Sequence, residues 1–351
     1  MSGGIDSTVS AMLLLEQGYE VVGCTFRTFD SIKESCLARE KGCCSIESIM
    51  EAKHNAEQMG FEHHIVDFRE TFRQCVIQNF IDEYMSGRTP NPCVLCNSHI
   101  KWGELMRVAD ELGCDFIATG HYANIEFSEK YNQYVLTKSK AGKKDQSYVL
   151  WNIPKELLEH VVFPLSNFES KEEIRKIASE NNIKVAQKPD SEDICFVPDG
   201  NYKKFLENNS DIKPKEGDIV DSKGTVLGKH TGLYNYTIGQ RKGMGISHPT
   251  PLFVIGFNAL KNQVIVGEYD ELFKKEILVK DINILLFDKI IEPMKVKVKT
   301  RYSQTEADAI MEQLSDNEIK VKFDEPQRAP TPGQSAVFYL NDIVVGGGKI
   351  V

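Results

Sequence analysis

The stretch Ser2-Gly3-Gly4-Ile5-Asp6-Ser7, followed directly by the apolar run from Val9 to Leu15, decides the fold at the beginning of this chain. Backbone N–H groups at a glycine turn and in the first turn of a helix form a cradle for anions, and the helix dipole favours negative charge there. The two glycines let the main chain approach a ligand closely, and the two serines add hydroxyl groups. The sequence therefore predicts a phosphate-binding turn at a helix start.

This turn has no lysine before its final hydroxyl, which separates it from the phosphate loop of kinases and GTPases. It resembles the SGGxDS loop of the pyrophosphatase-loop ATP enzymes, which split ATP between the α and β phosphates and activate a substrate oxygen as an adenylate. The alternative is a serine-capped Gly-Gly turn that binds nothing. The match at all five fixed positions, with a helical pattern behind it, favours the ATP loop.

The bulk composition is that of an ordinary soluble chain. Its 351 residues predict two or three domains, with 41% hydrophobic and 26% charged residues. No stretch has the length of a membrane span, and no secretory pattern is present. Nine unevenly spaced cysteines without an export signal indicate reduced thiols and a cytoplasmic protein. The net charge of −9 argues weakly against nucleic acid as a partner, although such a sum can hide a basic stripe.

Strand and helix patterns alternate over the first two hundred residues, which predicts a parallel sheet covered on both faces. The predicted strands are 19–26, 64–68 and 115–119, and the predicted helices are 8–17, 46–59, 70–86 and 99–112. Ligands bind at the carboxyl ends of such strands, so the opening turn, Phe26 and Gly120-His121 should converge on one pocket. We also expect a strand before the opening turn, because a phosphate loop on a chain terminus would be poorly held.

Near residue 205 the sequence pattern changes from alternating strands and helices to short strands with glycine turns, which are typical of hairpins. We therefore predict an α/β fold with an ATP-binding parallel-sheet domain over 1–204, a small β-rich domain over 205–271 and a β-barrel over 272–351.

Two cysteines stand apart from the others by their surroundings. Cys96 lies within the proline-rich stretch 88–97, two or three residues before a predicted helix start, where a thiol pKa is lowered. Cys195 lies in an acidic turn, residues 190–196, that leads into an apolar run. Cys24, Cys75 and Cys114 fall inside strand or helix patterns and read as inert small hydrophobes.

The chain resembles the tRNA-specific 2-thiouridylases, which replace the 2-oxygen of the wobble uridine with sulfur. The resemblance runs over nearly the whole length, in separate blocks that occur in the same order. These blocks are SGGxDS, GRTPNPxxxCN at 87–97, IKW at 100–102, ATGHYA at 118–123, KDQSYVLW at 144–151, ICF at 194–196, GLYNYTIGQRKG at 232–243, KTRY at 299–302 and TPGQSAVFY at 331–339.

Carried over by position, the resemblance implies three groups of site residues. Cys195 accepts sulfur and holds it as a persulfide, and Cys96 assists its release and can form a transient disulfide with Cys195. Phe26, in the ATP site, stands where many relatives have Met. The implied ATP site is Met1, Ser2, Gly3, Gly4, Ile5, Asp6, Ser7, Phe26 and Gly120. The implied target-base contacts are Asn91, Pro92 and Cys93, and the implied tRNA contacts are His121, Lys144, Asp145, Gln146, Arg301, Tyr302 and Gln334.

The resemblance also implies the reactants. ATP with Mg²⁺ is a substrate, Asp6 helps to hold the metal, and the fold of the first domain is of the HUP, adenine nucleotide α-hydrolase-like type. The macromolecular partners are tRNAs with a wobble uridine (those for Lys, Glu and Gln) and a cysteine desulfurase or sulfur-relay protein as persulfide donor. A membrane is not among the partners.

One departure from the family pattern leaves a second route open. Many relatives have Asp at the position of Cys93, so Cys93, Cys96 and Cys195 together offer three thiols for an iron–sulfur cluster or zinc. Cys36, Cys43 and Cys44 lie in an insertion-like segment and receive no role.

Lys295, Lys297, Lys299 and Arg301 alternate with valines, which on a strand places the cations on one face. Such a face is either merely solvated or, with Arg241-Lys242 and the KTRY block, a contact for the RNA backbone. Two other functional classes remain open: an amide-forming ligase with the same ATP loop, and a non-catalytic cysteine-rich RNA-binding or metal-scaffold protein.

Overall fold

The structure is a computed structural model that describes residues 1–29, 46–181, 183, 194–197, 199–210 and 214–351. These residues form two compact units. The first comprises 1–76, 93–201 and 342–344, and the second comprises 77–92, 202–341 and 345–351. The predictions for Cys36, Cys43, Cys44 and the acidic residues 190–193 lie outside the described residues. No helix within the described ranges combines the length and apolar character needed to cross a membrane.

The helices follow the predicted alternation. They are α1 (Ile5–Glu16), α2 (Ile46–Met59), α3 (Arg69–Phe72), α4 (Gln78–Met85), α5 (Pro92–Leu95), α6 (Leu105–Glu111), α7 (Lys171–Glu180) and α8 (Tyr202–Asn209). Two π-helical segments, Arg73–Ile77 and Cys96–Glu104, join α3 to α4 and α5 to α6. Short 3₁₀ turns occur at Gly142–Lys144, Ser147–Val149, Lys155–His160, Leu233–Asn235 and Tyr269–Leu272.

The strands are short in the first unit and longer towards the end of the chain. The first six are β1 (Gly23–Arg27), β2 (His63–Asp67), β3 (Ile117–Ala118), β4 (Ala123–Ser128), β5 (Gln133–Lys138) and β6 (Val161–Val162). The next four are β7 (Gly217–Asp221), β8 (Val226–His230), β9 (Phe253–Asn258) and β10 (Gln263–Gly267). The last six are β11 (Phe273–Ile284), β12 (Met294–Lys299), β13 (Ala307–Ser315), β14 (Glu318–Arg328), β15 (Ser335–Leu340) and β16 (Ile343–Ile350).

The first unit contains the predicted parallel pairings. Strand β1 runs parallel to β2, and β3 runs parallel to β6. Helix α1 packs its apolar residues against α7, so that Val9 and Met12 share a buried cluster with Ile174 and Ala178. Each Å² of apolar surface that this stripe buries stabilises the packing by about 25 cal/mol, and this burial holds α1 in place.

The second unit is β-rich. Strands β8, β7, β10 and β9 form one sheet around a core that includes Ile219, Val254 and Val264. Strands β11, β14, β13, β12, β15 and β16 pair in that order, and β16 pairs again with β11 to close a six-stranded barrel. Closure leaves the barrel without unpaired strand edges. The predicted fold class, a parallel-sheet domain followed by a small β domain and a barrel, is confirmed.

One helix boundary was predicted wrongly. The stretch 88–97 was expected to be a loop with the next helix starting at residue 99, but α5 begins at Pro92 and the π-helical segment continues from Cys96. Proline is well suited to the first turn of a helix, because its fixed φ matches and its missing N–H is not needed there. Cys96 is therefore the fifth residue of a helical segment and does not precede one, which removes the helix-start argument for its reactivity.

Candidate active site

The opening turn has the geometry of an anion cradle. Gly3 has φ of +69°, and a Cβ at this position would lie 2.2 Å from the backbone oxygen of Ser48, so a larger residue does not fit. Gly4 is the N-cap of α1, and no side chain of the described chain caps that helix start. The backbone N–H of Ser2 donates to Oγ of Ser7 at 3.1 Å, and this hydroxyl donates to the Gly4 carbonyl at 3.0 Å. These contacts shape the turn around the first N–H groups of α1.

The carboxylate of Asp6 is held from two sides. The Tyr122 hydroxyl donates to Oδ1 at 2.7 Å, and the Lys171 ammonium donates to Oδ2 at 2.9 Å. Lys171 is the first residue of α7, which Ser170 and Glu173 stabilise with a capping box. A Mg²⁺ ion that travels with nucleotide phosphates needs one or two protein carboxylates, and Asp6 fits that requirement if Lys171 gives up its oxygen. Neither Tyr122 nor Lys171 was singled out by sequence.

The structure brings two predicted strand ends to this turn. A Cβ on Gly120 would lie 2.8 Å from the backbone carbon of Asp6, so the chain after β3 runs directly against the start of α1. On β1, the Thr25 hydroxyl donates to the Met1 carbonyl at 2.6 Å, and Phe26 follows it. The Phe26 ring packs against Phe68 with centroids 5.3 Å apart. The opening turn, the end of β1 and Gly120 thus lie together in the first unit.

His121, expected from the resemblance to contact tRNA, is 8% exposed and lies between two side chains of the protein that it hydrogen-bonds. The Lys101 ammonium donates to its Nε2 at 3.0 Å, so the proton of the neutral ring is on Nδ1, which donates to Oγ1 of Thr119 at 2.7 Å. Burial, with a smaller contribution from Lys101, lowers the pKa of His121 well below its usual value. The ring is therefore neutral near pH 7, and Lys101 carries the charge. The block that contains Lys101 was recognised in the sequence, but the residue received no role.

The two thiols of the Cys93-x-x-Cys96 pair differ in their position along the helical segment. Cys93 is in the first turn of α5 and exposed, and Cys96 is half-buried at the start of the π-helical segment. The protein packed around Cys93 raises the pKa of its thiol, although part of the residue is open to solvent, and Lys101 lowers that pKa by a smaller amount.

The segment that follows Cys96 is tied to the KDQ block. The amide of Asn97 donates to the Val149 carbonyl at 2.9 Å. In the block itself, Asp145 is buried and accepts from the Ser139 N–H and the Ser147 hydroxyl. Gln146 accepts from the Tyr122 N–H at 2.9 Å, whereas Lys144 is exposed. Asp145 and Gln146, two of the predicted tRNA contacts in this block, thus bond other groups of the protein.

Cys195 is exposed and lies in a turn. The buried ring of the next residue, Phe196, anchors this turn. Phe196 is 1% exposed and packs edge-on against Phe72 of α3, with centroids 5.7 Å apart. Helix α3 in turn contacts the π-helical segment, where Thr71 donates to Glu104 at 3.4 Å. Cys195 and Cys96 therefore sit on two elements that both pack against α3. The six cysteines in the described part of the chain are all thiols.

In the second unit, Gln334 holds the proline-rich loop that carries Asn91. Its amide donates to the carbonyls of Thr89 and Pro90 at 3.1 and 2.9 Å. A Cβ on Gly333, which has φ of +91°, would lie 2.7 Å from the Thr89 oxygen. The TPGQ block thus fixes the backbone ahead of Asn91 and Pro92, and Gln334 acts on that loop with its side chain.

The basic stripe on β12 divides into exposed lysines and a structural arginine. Lys295 and Lys297 are exposed while Val296 and Val298 are buried, as the alternation predicts. Lys297 lies 3.4 Å from the Asp308 carboxylate. The other two cations of the stripe have internal contacts: Lys299 lies over the ring of Tyr302, and Arg301 lies beyond the end of the strand and donates to the carbonyls of Ile238 and Ala329 and to Thr331.

Within the described residues, no group of three or more His, Cys, Asp or Glu side chains is arranged to hold a metal ion. Cys93, Cys96 and Cys195 are all described, so they do not form a ligand set in this conformation.

Comparison with known proteins assigns the chain to a family. Three family models match it in succession: the tRNA methyl transferase HUP domain at residues 1–199, the tRNA methyl transferase PRC-barrel domain at 203–268 and the aminomethyltransferase β-barrel domain at 274–350. The first of these alone covers more than half of the chain.

The similarity to individual proteins extends over the full chain. A tRNA-specific 2-thiouridylase MnmA from Acetivibrio thermocellus is 47% identical over 350 residues, which cover 100% of this chain and 97% of that protein. One from Clostridioides difficile is 46% identical and one from Clostridium botulinum is 44% identical, with 100% of this chain and 96% and 97% of those proteins covered. The chain therefore belongs to the MnmA family of tRNA-specific 2-thiouridylases.

Proposed function

We propose that this protein is an ATP-dependent sulfurtransferase that makes 2-thiouridine at the wobble position of tRNA. The observation that carries the proposal is the proximity, in the first unit, of a glycine cradle at the start of α1 and the chain at Gly120-His121, which Lys101 of the thiol-bearing helical segment contacts. The family membership favours this reading over an amide-forming ligase or a non-catalytic scaffold.

The first chemical step is adenylation. A carbonyl oxygen leaves poorly, so the uridine 2-oxygen forms a bond to the α-phosphorus of ATP while the bond to the β-phosphate oxygen breaks. Pyrophosphate departs, and the N–H groups of Gly3, Gly4 and the first turn of α1 stabilise its charge. Asp6 would hold the Mg²⁺ that accompanies the phosphates, through the carboxylate oxygen that Lys171 now bonds.

The second step transfers sulfur. A persulfide on Cys195, loaded by a cysteine desulfurase or sulfur-relay protein, attacks C2 with its outer sulfur, and AMP leaves with the original oxygen. The Cys96 thiolate then attacks the inner sulfur, so that a Cys96–Cys195 disulfide forms and C2 keeps the outer sulfur as a thiocarbonyl. A thiol reductant restores both cysteines. The exposure of Cys195 suits a residue that must meet a protein donor.

The test separates adenylation from sulfur transfer. Cys195→Ser should lower 2-thiouridine formation about 1,000-fold or more, measured by mass spectrometry of the product tRNA, because no persulfide forms. The same variant should retain tRNA-dependent ATP–pyrophosphate exchange. Cys114→Ser, which changes a half-buried thiol outside the site, is the matched control and should behave as wild type. Normal thiolation by Cys195→Ser would refute the persulfide proposal.

The iron–sulfur route is the alternative that the three thiols leave open. Cys93→Asp restores the residue of many relatives and should stay active if Cys93 holds no cluster. If a cluster is used, the variant should lose both activity and a visible absorption band, since thiolate-to-iron transitions give the colour.

A further inference from the structure

We propose that Lys101 is a catalytic cation of the adenylation step, which neutralises the charge that develops on the α-phosphate oxygens, and that His121 is the residue that positions it. The inference rests on the proposed function and assigns a role to the first-unit contact between these residues, at 3.0 Å. It concerns a residue to which the resemblance gave no part in the reaction.

The first argument is that, among the residues that the structure describes, the bonded partner of the Lys101 ammonium is a neutral imidazole and not a carboxylate. His121 accepts one of its three ammonium donors and is itself fixed by the Thr119 hydroxyl at 2.7 Å. Trp102 and Phe163 pack around the imidazole, with ring centroids 6.4 and 5.9 Å away. An imidazole partner without charge aims the ammonium and leaves its full positive charge to act on a ligand. A carboxylate in the same place would cancel that charge.

The second argument is the position of the ammonium. His121 follows Gly120, whose backbone runs against Asp6 and Ser7 at the start of α1. Lys101 itself belongs to the helical segment that starts at Pro92 and carries Cys93, a residue expected to meet the target base. Lys101 thus links the thiol-bearing helical segment, on which it lies, to His121, which follows Gly120 at the predicted pyrophosphate cradle.

During adenylation the α-phosphorus loses its bond to pyrophosphate and gains a bond to the uridine oxygen. It therefore lies between the predicted pyrophosphate cradle and the predicted base contact. Negative charge on its oxygens changes most during that exchange, and a preorganised cation there stabilises the transition state more than the bound ATP. Loss of one such group typically costs about 100-fold to 1,000-fold in rate.

The experiment compares Lys101→Met with Lys101→Arg in tRNA-dependent ATP–pyrophosphate exchange at saturating ATP. We expect about a 100-fold slower exchange for Lys101→Met, with dissociation constants for ATP and tRNA within about threefold of wild type. Lys101→Arg keeps the charge and should lose about tenfold or less. Lys176→Met, at an exposed position of α7, is the matched control and should exchange at the wild-type rate.

The positioning role of His121 has its own pair of variants. His121→Gln can present an amide oxygen near the place of Nε2 and should retain most of the exchange rate, whereas His121→Leu removes the acceptor and should slow exchange by about tenfold. If Lys101→Met does not fold, Lys101→Gln and the His121 pair decide the question.

Two results would overturn the inference. One is exchange by Lys101→Met within about threefold of wild type, and the other is a loss of exchange matched by an equal loss of ATP affinity, which marks a binding or structural role. A wild-type protein without tRNA-dependent exchange would instead defeat the proposed function itself, so the two failures are distinguishable.

Discussion

The two units of the molecule use their cations in different ways. In the first unit, Lys101 bonds a neutral imidazole and Lys171 bonds the carboxylate of the predicted nucleotide turn. In the second unit, Arg301 donates to backbone carbonyls, and Lys349 and Arg88 both bond Glu83. A cation of this chain can thus be part of a candidate site or stabilise the fold, and the particular residue that it bonds decides which.

The largest loss of activity should come from a change to the backbone of the first unit that leaves every charged side chain in place. Gly120→Ala places a methyl group 2.8 Å from the Asp6 backbone, which must shift the start of α1. A displacement of about 1 Å at reacting groups costs on the order of 100-fold, so ATP–pyrophosphate exchange should fall by about that factor. Gly256→Ala is the control, because the atom nearest to its new methyl lies 4.0 Å away. Equal activity of the two variants would contradict the cradle geometry.

The ion pairs of Glu83 in the second unit predict that a substitution at this residue lowers the stability of the fold in a pH-dependent way. The Glu83 side chain is 5% exposed, and Arg88 and Lys349 bond it at 2.6 and 3.3 Å. Burial raises the pKa of Glu83, but the hydrogen bond from Arg88 and the charge of Lys349 outweigh it, so the net pKa is lowered. Glu83→Gln should therefore reduce the free energy of unfolding by about 2 kcal/mol at pH 7, since removing one partner leaves partly buried cations uncompensated.

The sign of the pH effect follows from that lowered pKa. A carboxylate with a depressed pKa in the folded state contributes stability above its unfolded pKa of about 4.3 and loses it as pH falls through the folded value. The difference in free energy of unfolding between wild type and Glu83→Gln, measured by denaturant melts, should therefore be largest near pH 7 and should shrink below about pH 4. A difference that stays constant across this window would show that the ion pairs do not carry the effect.

The smallest expected effect belongs to the exposed lysines of β12. Replacing Lys295 and Lys297 with Gln should weaken tRNA binding by a few-fold and reduce the slope of log affinity against log salt by about 1 to 2, if both contact phosphates. Folding should be unchanged, because both side chains are exposed. The double variant Lys223→Gln, Lys261→Gln removes two exposed lysines elsewhere in the second unit and serves as control. Identical salt slopes would indicate a merely solvated face.

Much of the fold could be predicted because local chemistry decides it. Helix α2 has the predicted bounds 46–59, and Gly60 ends it with φ of +82°. The hairpin of β7 and β8 and that of β9 and β10 follow from alternating strands joined by turn residues. Pro92 misled the prediction, since proline both breaks helices and starts them, and sequence does not tell which occurs.

The candidate site could be predicted only in part. The glycine turn was found because backbone approach and positive φ demand particular residue types, which a sequence displays directly. Lys101 and Lys171 were missed as site residues because their roles depend on acceptors that lie 20 and 165 positions away along the chain. The assignments of the individual residues to ATP and tRNA remain predictions.

Under the proposed function, the start of α1 couples folding to nucleotide binding. Because Gly4 offers no side chain to the first N–H groups of this helix, part of its hydrogen bonding is left for an anion to complete. A ligand that binds only the native state stabilises it by RT ln(1 + [L]/Kd), so cellular ATP at about 100 times its Kd would add about 2.7 kcal/mol to the unfolding free energy. On that proposal, a fall in the free ATP concentration would lower the unfolding free energy of the protein as well as its rate of turnover.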